Sequence, residues 1–308
     1  MQLTRGFSPH IRTSVTTPRL MGQVCLALLP ALAVGVWQTG LRGLWTVLVC
    51  VIAAVAVEWL WSRGRTVADG SAALTGLLLG MSLPPHLPLW LAALGGGFAV
   101  AVGKLCCGGL GQNVFNPALL ARAAMVLCFP QEMTRYITPD AVTAATPLHH
   151  MALHELPEES VWQLFAGRCD GSVGEVSALC LLLGGLFLIW RQVISWQIPV
   201  SYLGTAAVLT LLFARGDAPL LWMASQLCSG GLVLAAFFMA TDYATSPVTP
   251  GGRLVYGALC GALTVLFRYT GIFPEGVTYA ILLMNAASRS LDQWLPPRRY
   301  GAKKGATP

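Results

Sequence analysis

Leu41-Arg-Gly-Leu-Trp-Thr-Val-Leu-Val-Cys-Val-Ile-Ala-Ala-Val-Ala-Val-Glu-Trp-Leu-Trp61 decides the architecture, because no charge interrupts the run between Arg42 and Glu58. As a helix this stretch rises roughly 31 Å, the thickness of a bilayer's hydrocarbon layer. Comparable apolar runs recur along the chain at 21–38, 71–84, 87–104, 116–129, 174–191, 198–214, 219–240, 253–269 and 276–288. Together they predict an all-α polytopic membrane protein with about ten transmembrane helices. The runs at 71–84, 116–129 and 276–288 fall short of the roughly 20 residues of a straight crossing, so tilted, broken or extended spans are expected there.

Composition agrees. Of 308 residues 55% are hydrophobic and 10% are charged, against about 25% charged in ordinary soluble domains. So little charge cannot clothe a water-soluble body of this size, which excludes a soluble globular enzyme. The lipid bilayer is the first partner implied, and no nucleic acid is expected. Arg5, Arg12 and Arg19 ahead of an apolar run imitate a secretory signal. Leu28 to Trp37, however, leads straight into the next span without a clear small-residue cleavage site, so the segment is expected to be retained.

Basic residues orient the spans. With the N-terminus in the cytoplasm, Arg5, Arg12, Arg19, Arg63, Arg65, Lys104, Arg191, Arg253, Arg289, Arg298, Arg299, Lys303 and Lys304 lie inside. Only Arg42, Arg135, Arg168, Arg215 and Arg268 lie outside, and Arg122 falls within a span. This asymmetry predicts a multi-pass protein of the inner (cytoplasmic) membrane with both termini cytoplasmic. The chain then divides into a first five-helix half (1–129), an extracytoplasmic loop (130–173), a second five-helix half (174–295) and a basic cytoplasmic tail (296–308). The halves echo one another. Ala118-Leu-Leu-Ala-Arg-Ala-Ala124 resembles Ile281-Leu-Leu-Met-Asn-Ala-Ala287, and more weakly Gly76-Leu-Leu-Leu resembles Gly231-Leu-Val-Leu. Five spans per half is odd, so a duplication predicts two inverted repeats with a site near the midplane between them.

The chemistry-bearing residues are few. Nine cysteines are scattered, mostly inside apolar runs, and the adjacent Cys106-Cys107 lacks the spacing of zinc or iron–sulfur ligands. His149, His150 and His154 cluster beside Glu155, Glu158 and Glu159, a pattern that fits solvated loop residues, so no metal is expected. Asn113 and Asn116 precede Pro117 at a helix entrance, where amides either cap the helix or hold a polar ligand. Arg122, six residues on, requires an interface, a carboxylate or a ligand phosphate. Asp242 sits at a polar break, while Glu58 and Lys104 read as interfacial charges that snorkel to water. In the long loop Asp140-Ala-Val-Thr-Ala-Ala-Thr-Pro-Leu148 is small and hydroxyl-rich, and its Thr146-Pro147 step reads either as an ordinary turn or as an attachment point.

That last string resembles the flavinylation motif Asp-x-x-(Ser/Thr)-(Gly/Ala)-Ala-Thr of redox-driven ion pumps. Gly108-Gly-Leu-Gly-Gln-Asn-Val-Phe-Asn-Pro-Ala118, Asp69-Gly-Ser-Ala-Ala-Leu-Thr-Gly-Leu-Leu-Leu79 with Pro84-Pro85, and Met239-Ala-Thr-Asp-Tyr-Ala-Thr-Ser-Pro247 are similar to the D-subunit family of Rnf electron transport complexes. A relative of that family is the B subunit of the sodium-pumping NADH:quinone reductase. The resemblance runs from about Asp69 to Ala287. It implies FMN joined to Thr146 through a phosphoester on the extracytoplasmic side, with Thr143 in the motif and Asp140 shaping the attachment turn or the transferase site. Alanine at Ala144 stands where family members usually carry glycine.

The resemblance further implies a second, noncovalent flavin (riboflavin) held in the membrane by Asn113, Asn116, Arg122 and Asp242. A flavin accepts two electrons and releases them singly, which no side chain here does unaided. The implied task is electron relay between ferredoxin and NAD⁺ partners, coupled to Na⁺ or H⁺ movement, by a subunit inactive alone. The implied partners are other Rnf subunits, among them a second covalent-flavin subunit and iron–sulfur subunits, and a flavin transferase. A flavin-free secondary transporter or channel fits the span pattern equally, and the quinone-reductase subunit is a nearer alternative, disfavoured by the brief segment before the first span.

Overall fold

Gly40 folds the first long apolar stretch back on itself. The structure, a computed structural model, describes residues 15–134, 147–152, 157, 160–167, 171–215, 218–271 and 276–296. Asp140, Thr143 and Thr146 lie outside the described residues. Helix α1 (Thr17–Ser62) covers 46 residues but is broken at Gly40, whose φ of 73° and ψ of −169° are open to a residue without Cβ. A straight helix of that length would measure roughly 69 Å, more than twice the hydrocarbon thickness. Instead the break divides the helix into two limbs that run back along one another, one over the run 21–38 and one over the run 41–61. Met21 of the first limb sits beside Gly70, close to Ser71 and Lys104, the latter paired with Glu58 of the second limb.

The following helices are α2 (Ser71–Met81), α3 (Leu89–Val100), α4 (Pro117–Cys128), α5 (Pro130–Met133), α6 (Pro147–Ala152), α7 (Val161–Ala166) and α8 (Ala178–Trp190). Then come α9 (Gln197–Leu212), α10 (Pro219–Cys228), α11 (Leu232–Leu234), α12 (Pro250–Thr270) and α13 (Val277–Trp294). Two π-helices, Ala101–Leu105 and Ala235–Met239, continue α3 and α11. Among the described residues there is no strand.

Small residues set the packing. A Cβ on Gly96 would lie 2.3 Å from the Cys50 carbonyl oxygen, and one on Gly76 would lie 2.7 Å from Val51 Cα. Backbones therefore touch where α1 meets α2 and α3, as small residues allow in membrane bundles. The outward faces are apolar: Ile52 on α1, Leu183 on α8, Val208 on α9 and Leu266 on α12 are all exposed, while Glu58 and Lys104 are buried. This reversal of soluble order suits lipid. Exposed Trp37, Trp45 and Trp90 ring the end that holds the Gly40 turn, and exposed Trp61, Trp190, Trp196 and Trp294 ring the other, as aromatic belts do at membrane interfaces.

Several expected spans change shape. Helices α1 and α12 are singly long and apolar enough to cross, whereas α10 and Leu232–Met239 cross only as a pair bent by 62°. That bend divides the run 219–240. Helices α2 and α4, at 11 and 12 residues, rise only roughly 17–18 Å and stop inside the bundle. Such internal ends are tolerated where protein groups satisfy them. The Met81 carbonyl at the end of α2 accepts from Gly174 N at 2.7 Å. The run 174–191 becomes helical only at Ala178, after a buried turn in which Glu175 N donates to the Ser172 carbonyl at 3.0 Å, with Ser177 Oγ accepting from Cys180 N at 3.3 Å. The run 276–288 extends to Trp294, and Asp292 in that extension accepts from Val248 N at 3.0 Å.

Candidate functional site

The two π-helices lead into matching turns. The first runs through Gly108, Gly109 and Gly111, whose φ values of 111°, 99° and 84° suit glycine, and delivers Asn116 to the N-cap of α4. The second passes through Thr241, Asp242 and Tyr243 and delivers Thr249 to the N-cap of α12. Each capped helix has proline in its first turn, where the missing N–H costs no hydrogen bond. Between these turns, α2 and the start of α1 lies an open cavity of about 90 Å³, bordered by Ser71, Thr75, Lys104, Asn113, Asn116 and Asp242, with Leu78, Phe237 and Phe238 as apolar wall.

The two asparagines have different tasks. Asn116 Oδ1 accepts from Ala118 N at 3.0 Å and Leu119 N at 3.3 Å, and its Nδ2 donates to the Met239 carbonyl at 3.0 Å. It is thus both the helix cap and a bond to the end of the second π-helix. Asn113 Oδ1 is buried and has no hydrogen-bond partner among the described residues. An orphaned acceptor of this kind is costly unless a ligand donates to it, so the cavity wall fits a molecule carrying an N–H or O–H. Asp242 borders the same cavity, and its Oδ2 accepts from Thr245 Oγ1 at 3.3 Å.

Glu58 and Lys104, expected to be interfacial, are instead a buried ion pair with Lys104 Nζ 2.5 Å from Glu58 Oε1. Lys104 Nζ also donates to Ser71 Oγ, which in turn donates to Asp69 Oδ1 at 2.6 Å, and Thr66 Oγ1 donates to Glu58 Oε1 at 3.0 Å. Both charges lie deep among short helices, so they reach each other before they reach water. Their signal in the sequence was a charge of each sign within apolar runs, which in a membrane protein marks either an anchor or a site.

Arg122 does not join the cavity. Its Nη2 lies 3.7 Å from Glu175 Oε1 in the buried stretch before α8, so of the three partners the sequence leaves open the structure shows a carboxylate. Glu175 packs against Gly231, where a Cβ would come within 2.6 Å of its Oε1. At the same break Arg268, expected in an outer segment, is buried. It donates to the Gln226 carbonyl at 2.6 Å, Gln226 Oε1 at 3.0 Å and the Ser229 carbonyl at 2.8 Å. The carbonyls freed by the bend draw the guanidinium inward. Leu148 is buried with Met151 and Trp222 beside Gly230. Asn285, from the second echo segment, bridges α4 and α12: in the amide orientation its surroundings require, it accepts from Asn116 N at 3.0 Å and donates to Tyr256 Oη at 2.7 Å. Sequence reading missed Ser71, Glu175 and Asn285 as parts of these networks.

The profile of the NQR2, RnfD, RnfE family matches residues 4–301. The chain belongs to this family. The D subunit of the Na⁺-translocating ferredoxin:NAD⁺ oxidoreductase complex of Acetobacterium woodii is 46% identical over 314 residues, covering 99% of this chain and 97% of that protein. The D subunit of the proton-translocating ferredoxin:NAD⁺ oxidoreductase complex of Clostridium ljungdahlii is 42% identical over 325 residues, covering 98% and 97%. The D subunit of an ion-translocating oxidoreductase complex from Halorhodospira halophila is 40% identical over 342 residues, covering 97% and 96%. Family membership extends the resemblance of the quoted motifs to nearly the whole chain.

Proposed function

We propose that this chain is the electron-relaying membrane subunit of an Rnf-type ferredoxin:NAD⁺ oxidoreductase, carrying FMN on Thr146 and a second, noncovalent flavin in the cavity beside Asn113. The observation that carries the reading is the string Asp140 to Leu148, with Thr143 and Thr146 in the motif positions, within a chain of this family. Further support comes from the orphaned Asn113 Oδ1, a hydrogen-bond acceptor suited to a flavin N–H. The flavins supply one- and two-electron chemistry.

The chain's own residues do the rest. Asn113 accepts a hydrogen bond from the noncovalent ligand, Asn116 holds its wall together, and Phe237 and Phe238 keep that side of the cavity apolar. Leu148, two residues beyond Thr146, packs at Gly230, and Leu232–Met239 runs from that break to the cavity. This short helix, roughly 10 Å of rise, leads from the break at Leu148 to the cavity. On this reading Thr146 lies outside the cell membrane and both termini lie in the cytoplasm, with the halves as inverted five-helix repeats. The chain is then a non-autonomous part of a complex whose iron–sulfur and second covalent-flavin subunits exchange electrons with it and drive Na⁺ or H⁺ across.

Intact mass of the subunit co-expressed with a flavin transferase tests it. The mass should exceed the polypeptide by one FMN less water, and a denaturing gel should show a fluorescent band that Thr146→Val abolishes. A chain at bare polypeptide mass refutes the covalent flavin and favours a transporter.

A further inference from the structure

Lys104 is the one basic side chain among the described residues that border the cavity, and Asp242 is the one acidic side chain. Among the described residues its ammonium has two hydrogen-bond acceptors, Glu58 Oε1 and Ser71 Oγ, with Asp69 Oδ2 at 3.9 Å. An ammonium has three donors, so one remains unused. Glu58 is itself fully buried and its Oε2 has no hydrogen-bond partner among the described residues. A cation so buried, with one carboxylate at 2.5 Å and a second at 3.9 Å, holds its place only while Glu58 compensates it. Lys104 lies within the π-helix Ala101–Leu105, the local irregularity that ends α3 beside the cavity.

We infer that Lys104, steered by Glu58 and Ser71, is the charge-compensating partner of a redox-active ring in this cavity, stabilising its reduced, negatively charged form. The inference rests on the noncovalent flavin proposed above. An electron delivered by a partner's iron–sulfur or flavin centre adds one negative charge to the ring, and that centre is oxidised by one electron. Lys104 keeps all its protons, and no bond of it forms or breaks. Its positive charge, in surroundings of low dielectric, lowers the energy of the reduced ring. Glu58 acts in the opposite direction, because its negative charge partly cancels that of Lys104. Opposite signs for two residues in contact are what a merely structural role would not produce.

The test uses the whole complex purified in detergent, with wild type, Lys104→Met, Lys104→Arg and Glu58→Gln. Acid precipitation first measures noncovalent flavin per complex, and redox titration of flavin absorbance, assigned by variant-minus-wild-type difference spectra, then locates the couple that moves. At fixed ambient potential the reduced-to-oxidised ratio should fall at least tenfold in Lys104→Met, about 59 mV for a one-electron couple. It should rise in Glu58→Gln and stay near wild type in Lys104→Arg. Loss of the flavin from Lys104→Met with retention in Lys104→Arg also supports the assignment. Flavin present throughout with an unmoved couple, shifts of one sign in Lys104→Met and Glu58→Gln, or loss from Met and Arg variants alike overturns Lys104 alone. Wild-type complex that releases no noncovalent flavin overturns the cavity reading, and the Lys104 assignment falls with it.

Discussion

Lys104 and Arg268 are both cations taken out of water, one beside the cavity and one at the opposite end of α12 from the cavity-side turn, and they are held differently. Arg268 donates to the carbonyls of Gln226, Ser229 and Gly230, groups that the bend between α10 and α11 would otherwise leave bare. Lys104 is matched by a carboxylate and a hydroxyl, with a second carboxylate 3.9 Å away, and borders the cavity. The first arrangement mends a broken helix. The second stands beside buried acceptors, Glu58 Oε2 and Asn113 Oδ1, that have no hydrogen-bond partner among the described residues, and incompleteness of this kind marks a place where something else binds.

The sharpest way to break this contrast is Arg268→Met. It strips the donor from buried carbonyls at the bend and should cost roughly 4 kcal/mol, several groups at about 1–3 kcal/mol each with partial relaxation. Thermal unfolding in detergent should show a large drop in midpoint, partly restored by Arg268→Lys. A drop no larger than that of an exposed surface substitution would remove the distinction.

Next in size, Glu58→Leu leaves Lys104 buried without its counter-ion and should cost about 3 kcal/mol, while Glu58→Leu combined with Lys104→Met should recover most of the loss. A double-mutant cycle on the same unfolding transition measures the coupling, and simple additivity would mean that the pair at 2.5 Å is energetically idle.

The smallest change in stability is expected for Asn113→Ala. Removing an orphaned polar atom should change stability by less than about 0.5 kcal/mol, yet it should sharply reduce the flavin released by acid from the complex. Strong destabilisation with flavin retained would make Asn113 a structural residue like Asn116.

Much of the fold was legible along the chain. The run 198–214 is α9 within two residues at each end, and the shortness expected of 71–84 and 116–129 returns as the half-length helices α2 and α4. The bend within 219–240 was not, although Gly230-Gly231 stands there, because paired glycines mark a break without saying how far the chain turns. At the site, Asn113, Asn116 and Asp242 were readable as polar residues beside a proline or within a polar break, and they do border one cavity. Arg122 was readable as needing a partner but belongs to the Glu175 network instead. Glu58 and Lys104 were misread, since an isolated charge near the end of an apolar run looks the same whether it snorkels outward or pairs inward.

Membrane residence and family membership are properties of the chain read residue by residue, because transfer of apolar side chains into lipid is a local sum and motifs are local strings. Which charges meet is not local: Glu58 and Lys104 are 46 positions apart, and Arg268 and Gln226 are 42 apart. Only the return of α2 and α3 along the second limb of α1 and the bend after α10 bring them together, and a buried charge depends on what lies within a few ångströms of it rather than on its neighbours in sequence.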